Sequence, residues 1–480
     1  MQFIYLLEVP VVGVAGLLLL LDLLDRGRRL TPTFWSALSA IAALAVLASS
    51  FHASGPDGPT FWNSYIGDGY GLLVKRLLLS AVFLTSLLSY DFVSTRTRWV
   101  AEYYALLWFA VFGMMLMVSA NELIMLFVAT ETTTVSLYIL AAFFKDERPS
   151  VEAGLKYLLL GAAFAATMLY GMALIYGATG TQSIPDIAVR LGRAGTISPM
   201  LLTGMVLLLV GFSFKLAAVP FHSWAPDVYQ GAPTPITAFL SVASKAAGVA
   251  VLLRVFYIAL GPLQADWTVL LMVLAAITMI VGNVVALTQR DIKRLLAYSS
   301  ISQAGYILVG ASSASTLGIS SSLFYLVTYL FANFLAFTVV VVVYGKTGSD
   351  DTFDYGGLGR RSPLLALAMM LALLSLGGIP PLAGFFGKLY LFAAAVEQGH
   401  YFLVLIGILT STVAIFYYLT VLRRLYIDEP KPDAAGPVPL GPSSRLALLI
   451  CLAGTLLLGV LPHLAADWTL QVGRELLAGQ

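Results

Sequence analysis

The stretch Gly211–Lys245, GFSFKLAAVPFHSWAPDVYQGAPTPITAFLSVASK, begins and ends in apolar helical sequence. It carries one lysine in each of those helices, Lys215 and Lys245, and joins them through a segment with four prolines. Both lysines fall inside apolar spans. A charged side chain at the centre of a membrane helix costs about 2.5–3.5 kcal/mol on insertion scales, so the default reading is functional. Snorkelling to the interface is the structural alternative. It fits Lys245 poorly, because that residue lies roughly 15 Å along its helix from Pro235 at a rise of ~1.5 Å per residue.

Outward from this stretch the composition is that of a polytopic helical membrane protein. Of 480 residues, 59% are hydrophobic and 11% charged, against about 25% charged in soluble domains. A net charge of +2 offers no concentrated basic face for nucleic acid. Cys451 is the only cysteine, which excludes an internal disulfide or an iron–sulfur cluster held by this chain alone. His52, His222, His400 and His463 show no metal-ligand spacing. No prosthetic group is expected on this chain.

Apolar runs of about 20 residues predict about 14 transmembrane helices in an all-α fold. They lie near 9–24, 34–51, 70–90, 100–118, 122–144, 154–178, 199–218, 234–258, 267–288, 295–312, 318–344, 363–396, 401–426 and 446–462. The first, without a basic leader or a small-residue cleavage site, reads as a retained helix rather than a signal peptide.

Basic residues concentrate in alternate loops. Arg26, Arg28, Arg29, Arg96, Arg98, Lys145, Arg148, Arg290, Lys293, Arg294, Lys346, Arg360, Arg361, Arg423, Arg424, Lys431 and Arg445 fall on one side, and chiefly Arg190 and Arg193 on the other. The excess marks the cytoplasmic side, so both termini are expected on the non-cytoplasmic side of a bacterial inner or thylakoid-type membrane. Lys75 and Arg76 are the exception, expected to snorkel from the start of the third helix.

The seventh and twelfth spans are too long for one crossing and contain AAVPFHSWAP and SLGGIPPLAGFFGK near their middles. Proline removes a donor and clashes with the preceding turn, so both helices are expected to break there. Broken helices five spans apart point to two inverted five-helix repeats. The expected division is 1–98 for three N-terminal helices, 99–260 and 261–428 for the repeats, and 429–480 for the last helix and tail.

Glu131 lies about nine residues, roughly 13 Å, into the fifth helix, beside Thr130, Thr132, Thr133 and Thr134. An ammonium nearby would keep it ionised, and Lys215 is the expected partner. Lys388, in GFFGKLYLF after the second break, adds a third intramembrane cation. Ion pairs that merely pin helices would need matching acids, and the helix interiors offer only Glu131 plainly. Desolvated lysines can titrate from about 10.4 toward neutrality. The excess of bases therefore favours a proton relay of Glu131, Lys215, Lys245 and Lys388. His222, Tyr298, Ser299, Ser300, Ser302 and Gln303 are expected along an auxiliary polar path, where Gln303 can orient water but not take a proton.

FKLAAVPFHSWAPDVYQGAPTPITAFLSVASK, AYSSISQAGYILVG and SLGGIPPLAGFFGKLYLF together resemble the antiporter-like subunits of respiratory complex I, over nearly the whole chain. Lysine at 388 and a chain that ends shortly after the last span resemble the N type, including its cyanobacterial and plastid counterpart. The resemblance implies a subunit of a proton-pumping NADH:quinone oxidoreductase with no redox centre of its own. It also implies FMN, iron–sulfur clusters and quinone in partner subunits. The implied neighbours are a quinone-site subunit, small K- and J-type subunits and an M-type subunit, with lipid around them and the peripheral redox arm reached indirectly. Many relatives have histidine where this chain has Gln303, which suggests water bridges there. Three other readings stand beside it: a subunit of a multi-subunit cation/proton antiporter, a subunit of an energy-converting hydrogenase, and a membrane anchor that conducts nothing.

Overall fold

The computed structural model describes residues 7–25, 30–52, 58–193, 197–430 and 436–478. Arg26, Arg28, Arg29 and Lys431 of the expected basic loops lie outside them. The first spans are α1 (Glu8–Leu24), α2 (Pro32–Ser50), α3 (Gly69–Ser94), α4 (Val100–Val118), α5 (Leu123–Ala141) and α6 (Arg148–Thr179). A short helix, α7 (Ile184–Arg193), precedes the first broken span, formed by α8 (Pro199–Leu216) and α9 (Trp224–Gly231). The eighth span is composite. It runs through α10 (Thr234–Phe239), a π-helical turn at Leu240–Ser244, α11 (Lys245–Arg254) and a second π-helical turn at Val255–Ala259.

Next come α12 (Gln264–Ala286), α13 (Ile292–Ser312), α14 (Thr316–Thr347) and the short α15 (Leu358–Arg361). The second broken span is α16 (Pro363–Gly377) with α17 (Ala383–Glu397), followed by α18 (Tyr401–Tyr426), α19 (Pro442–Val460) and α20 (His463–Ala478). Among the described residues, 11 helical stretches are long and apolar enough to cross a membrane. With α1, α13 and the α16/α17 pair they make the expected fourteen.

Three elements were not anticipated. A two-stranded hairpin, β1 (Gly58–Thr60) and β2 (Tyr65–Gly67), fills the loop before α3. Both α7 and α20 are short and amphipathic, and too polar for a search for 20-residue apolar runs to register. The chain therefore continues as helix beyond the expected last span.

The composite eighth span is the central post, buried from Thr234 to Ala259 except at Ile258. Peripheral α6 and α18 expose Leu155, Leu159, Phe402, Ile408 and Phe416, a surface suited to acyl chains or neighbouring helices. Loops on one face, around 96, 147, 232, 290 and 350, meet about a common cavity. On the other face Asn121 Nδ2 donates to Asn63 O at 2.8 Å, Glu122 bridges Ser183, and Arg254 pairs with Asp68 at 2.8 Å. Among the described residues, the basic loops around 96, 147, 290 and 350 thus share one face, as expected.

Both expected breaks are present. Ala217 and Gly378 end the first halves with positive φ, 56° and 84°, and the peptide bonds Val219–Pro220 and Pro380–Pro381 are cis. Broken backbone at membrane depth needs partners inside the protein, and each break has them. Val219 N donates to Thr278 Oγ1 at 3.0 Å, Trp224 Nε1 to Phe214 O at 3.0 Å, and Gly384 N to Ser375 Oγ at 3.1 Å. Gly384 is held so closely to the Ser375 carbonyl that a Cβ would overlap backbone atoms. Gly384→Ala is therefore expected to destabilise the second break by about 1–3 kcal/mol. Thermal unfolding of the detergent-solubilised complex reads this; an unchanged midpoint would mean that the break relaxes freely.

Lys75 corrects an expectation. It does not snorkel: buried on α3, its Nζ lies 2.8 Å from Glu8 Oε1 of α1 and donates to Tyr65 OH at 2.8 Å. Glu131 is consequently not the one plain acid among the spans. Glu8 escaped notice because it begins α1, one residue before the expected helix. Arg76 caps α2 instead, donating to Ser50 O at 2.8 Å while its guanidinium covers the Phe51 ring at 4.3 Å.

Candidate functional site

Three lysines lie in the interior. Lys215 is 7% exposed, Lys245 2% and Lys388 5%, so all three ammonium groups are out of bulk water. Among the described residues none of the three forms an ion pair. The other buried cations do: Lys75 with Glu8, Arg254 with Asp68, and Lys293 with Asp350. Unpaired buried charge is strongly unfavourable, whereas a group that can shed its proton escapes the cost.

Lys215 sits in the last turn of α8, where the carbonyl end of the helix favours a cation. Its stem crosses Gly248 of α11, where an added Cβ would lie 3.5 Å from Lys215 Cγ. The expected direct ion pair with Glu131 is not closed, and the Lys215 ammonium has no hydrogen-bond partner among the described residues. Glu131 instead accepts from Thr134 Oγ1 at 3.4 Å. It is half-buried and shares one face of α5 with the exposed Ile124, Val128, Val135 and Ile139. The carboxylate therefore lies near the outer flank of the chain, with Lys215 inside.

Lys245 begins α11 directly after the first π-helical turn, a distortion frequent at functional sites. Its Nζ donates to Ser300 Oγ at 2.5 Å and to the Ser300 carbonyl. Ser300 Oγ also accepts from Tyr329 OH at 2.9 Å and meets Tyr229 OH at 3.4 Å. Tyr329 stacks on Tyr325, with ring centroids 6.5 Å apart, and Tyr325 OH donates to Gln303 Oε1. Gln303 Nε2 in turn donates to Leu376 O at the end of α16, 3.1 Å away.

One residue further, at Gly377, the same helix end receives Lys388. Its Nζ donates to Gly377 O and to Ser411 Oγ, both at 3.2 Å, and stands 4.3 Å above the Tyr306 ring. Lys245 and Lys388 are thus the two ends of a buried polar ladder through Ser300, Tyr329, Tyr325 and Gln303.

The remaining expected residues divide. Ser299 Oγ meets Tyr418 OH at 2.6 Å beside the ladder. Ser302 donates to Ser299 O of its own helix at 2.7 Å and rests on Gly282 of α12, a packing role. Tyr298 is half-buried against the apolar core, and His222 lies apart in the first break, its buried Nδ1 without a hydrogen-bond partner among the described residues. Tyr325, Tyr329 and Asn333 escaped the sequence reading. Their spacing on α14 is the signal for them, because residues four apart share one face of a helix. Asn333 Nδ2 donates to Ser241 Oγ of the central span.

The family described as NADH:quinone oxidoreductase/Mrp antiporter, transmembrane, matches residues 120–414. The chain is 46% identical over 426 residues to NADH-quinone oxidoreductase subunit N of Heliobacterium modesticaldum, covering 88% of this chain and 89% of that one. It is 41% identical over 446 residues to NAD(P)H-quinone oxidoreductase subunit 2 of Synechococcus elongatus, covering 91% and 84%. Its structure is similar to a chain in respiratory complex I from Thermus thermophilus with bound aureothin. The TM-score is 0.81 at 34% identity, over 96% of this chain and 99% of that one.

Proposed function

Because this chain belongs to the subunit N family of NADH-quinone oxidoreductase, the antiporter-like membrane subunits of respiratory complex I, we propose that Lys215, Lys245 and Lys388 relay protons across it under the control of Glu131. The observation that carries this reading is the division among buried cations: those near the two faces are paired with acids, and the three in the interior are not. An acid partner would pin the proton on a buried lysine; without one the proton can leave, and a nearby carboxylate or water is needed to draw it back.

The chain is a subunit of an enzyme complex and a multi-pass membrane protein. In the mechanism proposed here, electron transfer and quinone reduction in neighbouring subunits alter the field or hydration at Glu131. Its half-exposed place on α5 suits a signal from an adjoining chain, such as the quinone-site, K-, J- or M-type subunits. Lys215 responds to that carboxylate. A proton taken from the side bearing the arginine-rich loops reaches Lys245, crosses the Ser300–Tyr329–Tyr325–Gln303 ladder with bridging water, and leaves through Lys388. Gln303 contributes orientation only, since its amide holds no proton to give near neutral pH. FMN, iron–sulfur clusters and quinone belong to the partner subunits in this scheme.

The arrangement of breaks favours inverted repeats at 99–260 and 261–428. Each block holds three spans, a broken span and a continuous one, and blocks of five spans necessarily run in opposite directions through the membrane. The excess of basic residues in alternate loops favours termini on the non-cytoplasmic side of a bacterial inner or thylakoid-type membrane.

Lys215→Ala is expected to suppress quinone-coupled proton pumping by on the order of a hundredfold, the lower end of what one positioned proton-transfer group contributes. The measurement is proton uptake by liposomes containing the assembled complex, normalised to quinone reduction. Unchanged pumping by an assembled variant overturns the assignment.

A further inference from the structure

A cavity of about 690 Å³ opens among the arginine-rich loops. Its wall includes Asp350 and Lys293, joined at 3.1 Å between Oδ2 and Nζ, and Thr234, the first residue of the central span. The loop bearing Asp350 is fixed rather than loose. Ile292 N donates to Asp350 O at 2.8 Å, and Thr352 N to Arg290 O at 2.9 Å.

Two polar atoms here are buried without a hydrogen-bond partner among the described residues: Asp350 Oδ1 and Thr234 Oγ1, the latter on a side chain only 1% exposed. A buried hydroxyl without a partner is costly, and the cavity it lines is polar and large enough for water.

From Thr234 the central span carries Thr237, Ser241 and Lys245 at spacings of three, four and four, on one face over ~16 Å of helix. All four are buried. Ser241 meets Asn333 of α14, the helix that leads to Asp350. Thr237 donates to Tyr229 O at 3.0 Å, and the Tyr229 hydroxyl reaches Ser300, the residue holding Lys245.

We propose that this cavity is the site of proton uptake, with Asp350 as the collecting acid and the Thr234–Thr237–Ser241 stripe as the lead to Lys245. The inference rests on the relay reading above. The transfer balances simply: a hydrated proton from the loop-side bulk protonates the Asp350 carboxylate, the carboxyl passes that proton to water at Thr234, and hydroxyl-bound water delivers it to a neutral Lys245 Nζ, leaving the carboxylate and the waters as they began. Lys293 holds the emptied carboxylate between cycles. Burial pushes the Asp350 carboxyl up from the ordinary carboxylate range, against the pull of Lys293, so the acid form is reached without leaving the cavity. The charged and titratable groups facing it are Lys293, Asp291, Arg96 and Tyr355, with Asp351 and Arg290 on the same wall.

The test is the ratio of protons pumped to quinone reduced, for the complete complex in liposomes, as the pH on the loop side is varied. A collecting acid matters most when free protons are scarce. Asp350→Asn is therefore expected to lower pumping on the order of tenfold at about pH 8.5 and little at about pH 6, with Asp350→Glu restoring it; water in the cavity keeps the loss below the usual range for a positioned acid.

Thr234→Val, nearly isosteric, is expected to lower pumping at both pH values and supplies the test if Asp350→Asn does not assemble. Native pumping by either variant, or a loss in Asp350→Asn equal at both pH values, overturns the proposal. Lys245→Ala measured alongside separates the two layers. If it abolishes pumping while the cavity variants behave as native, the uptake site is wrong and the relay stands. If it too pumps normally, the relay itself is wrong.

Discussion

Lys245→Ala is expected to abolish proton transfer through this subunit, with a loss of at least about a hundredfold in the transfer step, while leaving the complex assembled. The ammonium is held by one residue, through the Ser300 hydroxyl at 2.5 Å and the Ser300 carbonyl, in a span buried almost throughout. Removing it leaves Ser300, Tyr229 and Tyr329 bonded to one another. Those hydroxyls can pass hydrogen bonds but store no additional proton near neutral pH.

Lys245→Arg separates titration from charge. Guanidinium keeps the positive charge and does not deprotonate in proteins, so a relay predicts an arginine variant as inactive as the alanine one. A fixed-charge role predicts that arginine restores function. Pumping by the reconstituted complex, per quinone reduced, distinguishes the two. Thermal stability should be unchanged or higher in Lys245→Ala, because the substitution removes an unpaired buried charge rather than half of a pair.

The fold was legible because the bilayer imposes simple signals. Long apolar runs, alternating basic loops and prolines in mid-span each have one dominant cause, and they located fourteen spans, both breaks and the three interior lysines. Short amphipathic segments have no such signal. Ile184–Arg193 and His463–Ala478 bury one face against the ends of the bundle, so their helices depend on tertiary contacts that no local run announces. The π-helical turns in the central span are likewise invisible to apolar periodicity.

At the site, residue type identified the charged groups, but partnership had to come from three dimensions. Lys215 and Glu131 were expected to touch because both are charged and lie at membrane depth; in the structure Glu131 is half-buried on a face of α5 with exposed neighbours, and among the described residues the direct ion pair is not closed. Apart from His222, the polar path was expected entirely from α13. In the structure Ser300 and Gln303 do come from α13, but the intervening hydroxyls belong to Tyr325 and Tyr329 of α14. Tyrosine in an apolar helix is ordinary filler until a neighbouring polar group gives its hydroxyl a partner.

Lys75 shows the opposite case, in which a buried cation is structural. Its Nζ, the Glu8 carboxylate and the Tyr65 hydroxyl form a closed triangle: 2.8 Å from lysine to both Glu8 Oε1 and the hydroxyl, and 3.0 Å from the hydroxyl to Glu8 Oε2. The triangle joins α1, the β2 strand and α3. Breaking one side should strand the remaining charge, so Lys75→Ala and Glu8→Ala are each expected to destabilise the fold by about 3–5 kcal/mol.

The double variant Glu8→Leu/Lys75→Met replaces both charges by apolar groups of similar size. It should recover most of that loss, because a buried pair repays little more than its own desolvation. Thermal unfolding of the purified complex in detergent measures all three. Proton pumping by the double variant should remain near native, in contrast to Lys245→Ala. A double variant whose loss equals the sum of the two single losses would show that the two residues act independently. One that is stable but does not pump would move Glu8 and Lys75 from the scaffold into the proton path.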